Sequence, residues 1–297
     1  MQTLILAGGQ GTRLRPLTDL YPKPLLYLPG GRLVDYLLAQ VEKIGVREVG
    51  IVVHYAADQV VEHVTKTHPH IAILPQSPPY TLLGALASAA EWVCKPTLVL
   101  HADNYFSFSL RRFVRLAPPD VATFLVDRPD EPDPIKRLAS SGAYVLPPRV
   151  FRIAAEIAEA DNLATLVSEL YRRQFPVFSI PAPGWRRNIN QPADLLRVNH
   201  YLLSRWHDAE HPQQANQGYD PMMLSWVAPN ARAEESHVGL YVTVGEGAVV
   251  RRSVLQNALV FPGVEVEDFE GENVILVEAP DQIITVYVPS HVVPKIV

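Results

Sequence analysis

A single cysteine, Cys94, occurs in 297 residues. That excludes an internal disulfide and a zinc site built from cysteines, and leaves Cys94 as a small apolar packing residue. No apolar run approaches the roughly 18 residues of a membrane-spanning helix. The first residues carry neither a charged leader nor a cleavage site. The expected compartment is therefore the cytoplasm, with no membrane contact. Long runs of positive charge are also missing. With 26 Lys and Arg against 31 Asp and Glu, the formal net charge is −5, so nucleic acid is not an expected partner. Small anionic substrates need only local cations, so they stay open.

What is present suits a soluble globular chain: 48% hydrophobic and 19% charged residues, long enough for one large α/β domain and a smaller one. Leu33, Tyr36, Leu37, Val41 and Ile44 recur at helical spacing, and Gly45 sits where a helix would stop. Val49 to Val53 reads as a strand, Ala57 to Thr67 as a helix with Val60, Val61 and Val64 inward, and Ile71 to Leu74 as a strand. Leu82 to Val93 reads as a helix and Thr97 to Leu100 as a strand. Strict alternation of this kind implies an α/β fold, a mostly parallel Rossmann-like sheet covered by helices. Ligands of such sheets bind beyond the carboxyl ends of the strands.

One stretch at that edge carries the chemistry. The apolar run Leu4-Ile5-Leu6-Ala7 reads as a buried strand and is followed at once by Gly8, Gly9 and Gly11. Glycines let the backbone turn sharply and approach a ligand. Successive N–H groups in such a turn form an anion site, and Arg13 adds a fork of donors suited to phosphate. Lys23, between Pro22 and Pro24, is a second cation on a stiffened loop. Neither common phosphate fingerprint fits: Leu14 stands where a dinucleotide motif needs its third glycine, and Gly11-Thr12-Arg13 replaces the Gly-Lys-Ser/Thr of a P-loop. The glycines alone are equally compatible with a structural strand-to-helix corner.

The combination Gly-Gly-x-Gly-Thr-Arg-Leu with Pro-Lys-Pro-Leu some ten residues later closely resembles the N-terminal signature of the sugar-1-phosphate nucleotidyltransferases. The resemblance implies the nucleotide-diphospho-sugar transferase fold. It also implies condensation of a nucleoside triphosphate with a sugar 1-phosphate to give a nucleotide-sugar and pyrophosphate, with Mg²⁺ as cofactor. Leu6, Gly8, Gly9, Gly11, Thr12 and Gln76 are then expected to bind the nucleotide, and Arg13, Lys23 and Asp103 to be catalytic.

Asp103, in His101-Ala102-Asp103-Asn104, reads on position alone as a turn or N-cap aspartate. The resemblance makes it a Mg²⁺ ligand, although Ala102 stands where relatives carry Gly. Gln76 reads as a solvated loop residue, or by resemblance as a reader of the nucleobase edge; the turn after it is altered to Thr81-Leu82-Leu83-Gly84. Asp127-Arg128-Pro129 is the nearest match to a Glu-Lys-Pro motif whose lysine binds the sugar phosphate. Arg128 and Lys136 compete for that role, with plain surface charges as the alternative. Gly142 falls in a strand where relatives hold the sugar. The segment Trp185 to Leu195 resembles Trp-x-Asp-Ile-Gly-Thr-Pro, with Asn188 at the place of the second metal aspartate and thus one negative charge fewer.

Val150 to Ala158, Leu163 to Arg172 and Leu195 to Leu203 read as helices, and Val177 to Ile180 as a strand. Trp206, His207, Gln213, Gln214 and Gly218 mark a polar linker. Beyond Trp226, valines and glycines recur at about six residues, resembling a short left-handed hexapeptide-repeat β-helix of two or three coils; a small β-sandwich is the alternative. The expected division is a nucleotidyltransferase domain at 1–205, a linker at 206–225 and the β-helix-like domain at 226–297, a surface for homo-oligomers. A rival from another class is a nucleotide-sugar-binding regulatory paralogue with little catalysis. Asn188, the Asp127-Arg128-Pro129 triplet and the altered turn motivate it.

Overall fold

The computed structural model of the chain describes residues 1–205, 219–220 and 222–292. The linker residues Trp206, His207, Gln213, Gln214 and Gly218 lie outside the described residues. The chain divides into two compact units, interleaved in sequence: Met1–Gln10, Pro22–Pro24 and Val34–Asn188 form the first, and Gly11–Tyr21, Leu25–Leu33 and Ile189–Val297 the second.

The first unit is built on strands β1 (Gln2–Leu6), β2 (Val49–Val53), β3 (Ala72–Pro75), β4 (Thr97–His101), β5 (Asn104–Phe106), β6 (Ala122–Val126), β7 (Ala143–Leu146), β8 (Val177–Pro181) and β9 (Arg186–Asn188). Seven make one sheet in the order β8-β6-β7-β4-β1-β2-β3. All its pairs are parallel except those of β7 with β4 and β6. β5 and β9 form a separate antiparallel ribbon. The expected mostly parallel α/β sheet is therefore present.

Its helices are α1 (Leu33–Ile44), α2 (Ala57–Thr67), α3 (Leu82–Ser88), α4 (Arg111–Leu116), α5 (Pro134–Ala139), α6 (Pro148–Glu156) and α7 (Leu163–Arg172). α1 buries Val34, Leu37, Leu38 and Val41, the stripe expected of an amphipathic helix. It ends at Gly45, whose φ of +84° suits glycine and whose N–H donates to Val41 and Glu42 carbonyls. In α2, Val60 and Val64 are buried and Val61 only half-buried. α3 is shorter than the expected Leu82 to Val93. Past Ser88 the chain tightens into turns, and the Gln2 side chain ties them off, accepting from Cys94 and Lys95 N–H at 2.9 and 3.0 Å and donating to Trp92 O at 3.2 Å. Leu4, Val52, Leu86, Val99, Phe124, Tyr144, Phe151, Leu166 and Leu170 belong to one buried core. Each such side chain contributes roughly 1.5–3 kcal/mol by leaving water.

The second unit contains α8 (Pro192–Ser204), which starts at Pro192, three residues earlier than expected. Proline suits a first helical turn, where its missing N–H costs nothing, and Asp194 accepts from Asn190 and Gln191 N–H at 3.1 Å each. After it come β10 (Ser225–Val227), β11 (Arg232–Glu234), β12 (His237–Val238), β13 (Thr243–Val244), β14 (Val249–Arg251), β15 (Val254–Val260), β16 (Glu265–Glu267), β17 (Glu270–Ala279) and β18 (Gln282–Tyr287). Trp226 lies opposite Thr243, Thr243 opposite Leu259, and Leu259 opposite Ile275, all parallel. The chain thus returns to the same face every 16 or 17 residues, as in a β-helix. The sides are less regular than a strict six-residue rhythm because corners are turned by residues of positive φ, among them Tyr241, Asn257 and Asn273. Asn257 Nδ2 donates to Asn273 Oδ1 at 2.6 Å, stacking one corner on the next. β18 closes the stack antiparallel to β17. Within this unit Tyr21 and Tyr27 pack their rings on Phe261, at 5.1 and 5.9 Å between centroids.

Candidate active site

In the first unit, chain order runs outward from β1 to β2 and β3, then returns to the other flank of β1 with β4. A reversal of this kind opens a crevice beyond the carboxyl ends of the two central strands. Ala7 N–H donates to Val52 O at 2.8 Å, and Ala102 N–H donates to the Leu6 carbonyl at 3.0 Å. The glycine loop and the segment before Asp103 therefore leave the sheet side by side. Gly9 has open space where a Cβ would stand, whereas at Gly8 a Cβ would lie 2.8 Å from Gln76 Oε1. From Gly8 to Arg13, six consecutive backbone N–H groups have no acceptor among the described residues.

Lys23 and Asp103, eighty residues apart, meet with Nζ 3.0 Å from Oδ2, both largely shielded from solvent. Asp103 Oδ1 accepts from Asn104 Nδ2 at 2.8 Å. His101, at the end of β4, places Nε2 2.9 Å from the Tyr144 hydroxyl. Burial pushes its imidazole below the usual value, against the opposing pull of Asp103. The neutral ring is a packing partner at the base of the crevice.

Asn188 is opposite Asn104 in the β5–β9 ribbon, which brings it beside the Asp103 segment. Its Oδ1 is buried without a hydrogen-bond donor among the described residues. An orphaned buried acceptor of this kind is costly in an isolated protein. Arg186, on the same strand, is the residue whose importance the sequence left least visible. Its guanidinium donates to Asp127 through Nε (2.7 Å) and Nη2, to Ser140 O at 2.7 Å, and to Asn104 Oδ1. These bonds link Asp127 through Arg186 and Asn104 to Asp103. Gly142 lies beneath them: a Cβ there would collide with Arg186 Nη1 and Asn104 Oδ1. Its carbonyl already accepts from His101 N–H at 3.3 Å.

The two sugar-phosphate candidates are held far less firmly. Arg128 stands exposed on the turn after β6, and Lys136 is exposed on α5 with Asp133 4.0 Å away. Neither is brought against Lys23, Asp103 or Asn188 by a described contact. In the second unit, Gly11 has φ +66° and its carbonyl accepts from Leu14 N–H and Thr18 Oγ1 at 2.8 and 2.9 Å. Thr12 opens a single 3₁₀ turn. Arg13 Nη2 donates to Asn190 Oδ1 at 2.9 Å; Asn190 is an asparagine where the resembling motif has glycine. Among the described residues no cluster of three or more His, Cys, Asp or Glu side chains is arranged around a metal, and no helix is long and apolar enough to cross a membrane.

Comparison with known proteins finds nucleotidyl transferases. Residues 2–132 match the family model described as nucleotidyl transferase. The chain is 25% identical over 227 residues to a bifunctional protein GlmU of Methanocaldococcus jannaschii, covering 69% of this chain and 55% of the relative. It therefore spans about half the length of that relative. A glucose-1-phosphate thymidylyltransferase of Streptomyces griseus is 24% identical, with 90% of this chain and 88% of the relative covered. The UTP–glucose-1-phosphate uridylyltransferase AglF of Haloferax volcanii is 24% identical over 65% of this chain and 93% of its own. A crystal structure from Bacillus anthracis, solved as a candidate glucose-1-phosphate thymidylyltransferase, shares the fold with a TM-score of 0.57 at 18% identity, covering 73% of this chain and 99% of that one. Over residues 2–132 the chain is thus similar to the nucleotidyl transferases, and the relatives it resembles include sugar-1-phosphate nucleotidyltransferases.

Proposed function

We propose that the protein condenses a nucleoside triphosphate with a sugar 1-phosphate. An oxygen of the sugar phosphate attacks the α-phosphorus, the bond from that phosphorus to the β-phosphate bridge breaks, and pyrophosphate leaves. The observation that carries this reading is the Lys23–Asp103 pair at the carboxyl edge, 3.0 Å apart and shielded. A cation and an anion fixed together there suit a reaction that needs positioning and charge neutralisation and no covalent intermediate. The unaccepted N–H groups of Gly8, Gly9 and Gly11 would receive phosphate oxygens, and Arg13 would take charge developing on the leaving pyrophosphate. Lys23 would hold the phosphates near the reacting phosphorus. Arg128 or Lys136 would receive the sugar phosphate, with Gly142 beside the sugar.

The family's Mg²⁺ fits the residues present. A hard ion takes oxygen ligands and often needs only one or two protein carboxylates beside substrate phosphates. Asp103 offers a carboxylate, and the donorless Oδ1 of Asn188 offers a neutral oxygen. When bound, the ion would neutralise phosphate charge.

The neutral Asn188 also favours a second reading, a nucleotide-sugar-binding protein of weak or no activity. Pyrophosphate release, measured over a panel of triphosphates and sugar 1-phosphates with Mg²⁺, separates the two. Turnover by the native chain supports the enzyme, and Asn188→Asp should then change the rate severalfold through the added ligand charge. No turnover with any pair, in the native chain and in Asn188→Asp alike, leaves the binding protein.

A further inference from the structure

The ribbon of β5 and β9 sets Arg186 beside the site by strand geometry alone. Asn188 is opposite Asn104 and Arg186 opposite Phe106, and residues two apart on a strand share a face. Asn104 and Arg186 are therefore diagonal neighbours on one face, a spacing that a long side chain can bridge. Arg186 Nη1 donates to Asn104 Oδ1. A guanidinium has no acceptor, so the end of the amide that faces it is the oxygen. Nδ2 is thereby left for Asp103, whose Oδ1 it reaches at 2.8 Å. The other carboxylate oxygen, Oδ2, is 3.0 Å from Lys23 Nζ. Each oxygen of Asp103 thus has its own donor, and one of the two donors is set by Arg186.

Arg186 is itself held on its far side. Nε, at 2.7 Å, and Nη2 both donate to Asp127 Oδ2, and Nη2 donates also to the Ser140 carbonyl at 2.7 Å. Asp127 neutralises the guanidinium at short range, so what is passed on to Asp103 is hydrogen-bond direction rather than net positive charge. Asn104 is 1% exposed. Bulk water therefore does not replace the arginine as donor to its oxygen, and a buried acceptor left without a donor is costly. The amide is satisfied at both ends only with Arg186 in place. Gly142 preserves the contact, because the Cβ of any other residue would fall on both Arg186 Nη1 and Asn104 Oδ1.

We propose that Arg186 is a positioning residue for Asp103, acting through the Asn104 amide. The inference rests on the reading that Asp103 serves the displacement at phosphorus. Arg186 needs no contact with substrate for this. It locks the amide, the amide holds one carboxylate oxygen, and the carboxylate stays aimed with Lys23 on its other oxygen. A reaction that depends on positioning loses rate steeply when one group drifts. The loss is therefore expected in kcat, with the KM for the triphosphate little changed.

A double-mutant cycle on the full chain tests this, using Mg²⁺ and the triphosphate and sugar 1-phosphate that turn over fastest. Rates are expressed per folded molecule, read by circular dichroism at the assay temperature. Arg186→Ala and Asn104→Ala should each lower kcat about ten- to hundredfold and leave the triphosphate KM within about twofold. The double variant should be no slower than the slower single one, because both changes remove the same hold. Asn104→Asp keeps an acceptor for Arg186 but gives up the donor to Asp103, and should lose kcat as Asn104→Ala does. Native kcat in folded Arg186→Ala overturns the inference and leaves Arg186 purely structural; additive losses in the double variant overturn the route through Asn104. If Arg186→Ala does not fold, Asn104→Asp decides, and native kcat in that variant overturns the inference. A second readout is independent of activity. The isotope-labelled side-chain amide of Asn104, assigned by its loss from the NMR spectrum of Asn104→Asp, should exchange with heavy water at least about tenfold faster in Arg186→Ala than in the native chain. Unchanged exchange overturns the inference while leaving the enzyme reading intact. Absence of turnover by the native chain with every substrate pair overturns that underlying reading, and the positioning role with it.

Discussion

On one side of the sheet edge, around β1, β2 and β4, the charged groups are fixed: Lys23 and Asp103 meet at 3.0 Å in a shielded place, and Gln76 is oriented by two loop carbonyls. On the other side, around β6, β7 and β9, the expected phosphate cations Arg128 and Lys136 stand exposed. The cation that is fixed there is Arg186, buried to 9% side-chain exposure against Asp127. The contrast separates two tasks. Holding a polyphosphate during displacement needs groups set in advance, since reorganisation at the moment of reaction is lost rate. Holding a second substrate tolerates mobile side chains that close on it. Arg186 has taken space beside Gly142, so this side is built around a structural cation.

The sharpest way to break that comparison is at Asp103. Asp103→Ala removes the carboxylate that organises Lys23 and Asn104, and pyrophosphate release should fall about a thousandfold, equivalent to about 4 kcal/mol. The thermal midpoint should fall as well, because the shielded Lys23 loses its counter-charge, so circular dichroism at the assay temperature checks that the variant is folded. A variant that turns over at the native rate would show that the fixed side is not where the chemistry happens. Arg186→Ala addresses the other side. It leaves Asp127, Asn104 Oδ1 and Ser140 O without their donor, and losing one partner of a largely buried pair costs about 3 kcal/mol. The urea midpoint should drop accordingly, while nucleotide affinity changes little. Arg186→Lys should recover only part, since an ammonium cannot reproduce the fork. A nucleotide affinity that collapses with unchanged stability would join the two sides into one.

The residues that sequence reasoning found and those it passed over differ in the range of their contacts. β1 and its glycines, the α1 stripe ending at Gly45, and α7 at Leu163–Arg172 are local patterns, written in periodicity and composition. The place of Asp103 at the sheet edge follows from its position directly after a buried strand, but position alone reads it as a turn or N-cap aspartate, and only the resemblance singles it out. Arg186 carries no such local signal, because its partner Asp127 is 59 residues away in a proline-rich turn that reads as surface. Gly142 reads locally as room for a ligand, yet the atoms that demand a glycine belong to Arg186 and Asn104. The 16- or 17-residue return of the coils was blurred for a related reason. Several corners use Tyr241, Asn257 and Asn273 at positive φ, where sequence rules look for glycine.

The smallest expected effects belong to Arg128 and Lys136, and they decide which of the two serves the sugar phosphate. Arg128 extends from the turn beside Asp127, whose carboxylate is already engaged by Arg186, so its own charge is not neutralised from that side. Lys136 has Asp133 4.0 Å away on the same helix turn, and an exposed pair of this kind is worth at most about 1 kcal/mol. Both side chains would have to be ordered on binding, which offsets part of what each contributes. Replacing Arg128 with Ala should therefore raise KM for the sugar 1-phosphate by about three- to tenfold with kcat nearly unchanged, and Lys136→Ala by less than about threefold. KM for the triphosphate should stay constant in both. The reverse ranking would assign the sugar phosphate to Lys136. A matching rise in the triphosphate KM would mean that these exposed cations reach the polyphosphate, and the division between a fixed and a mobile side would fail at its weakest point.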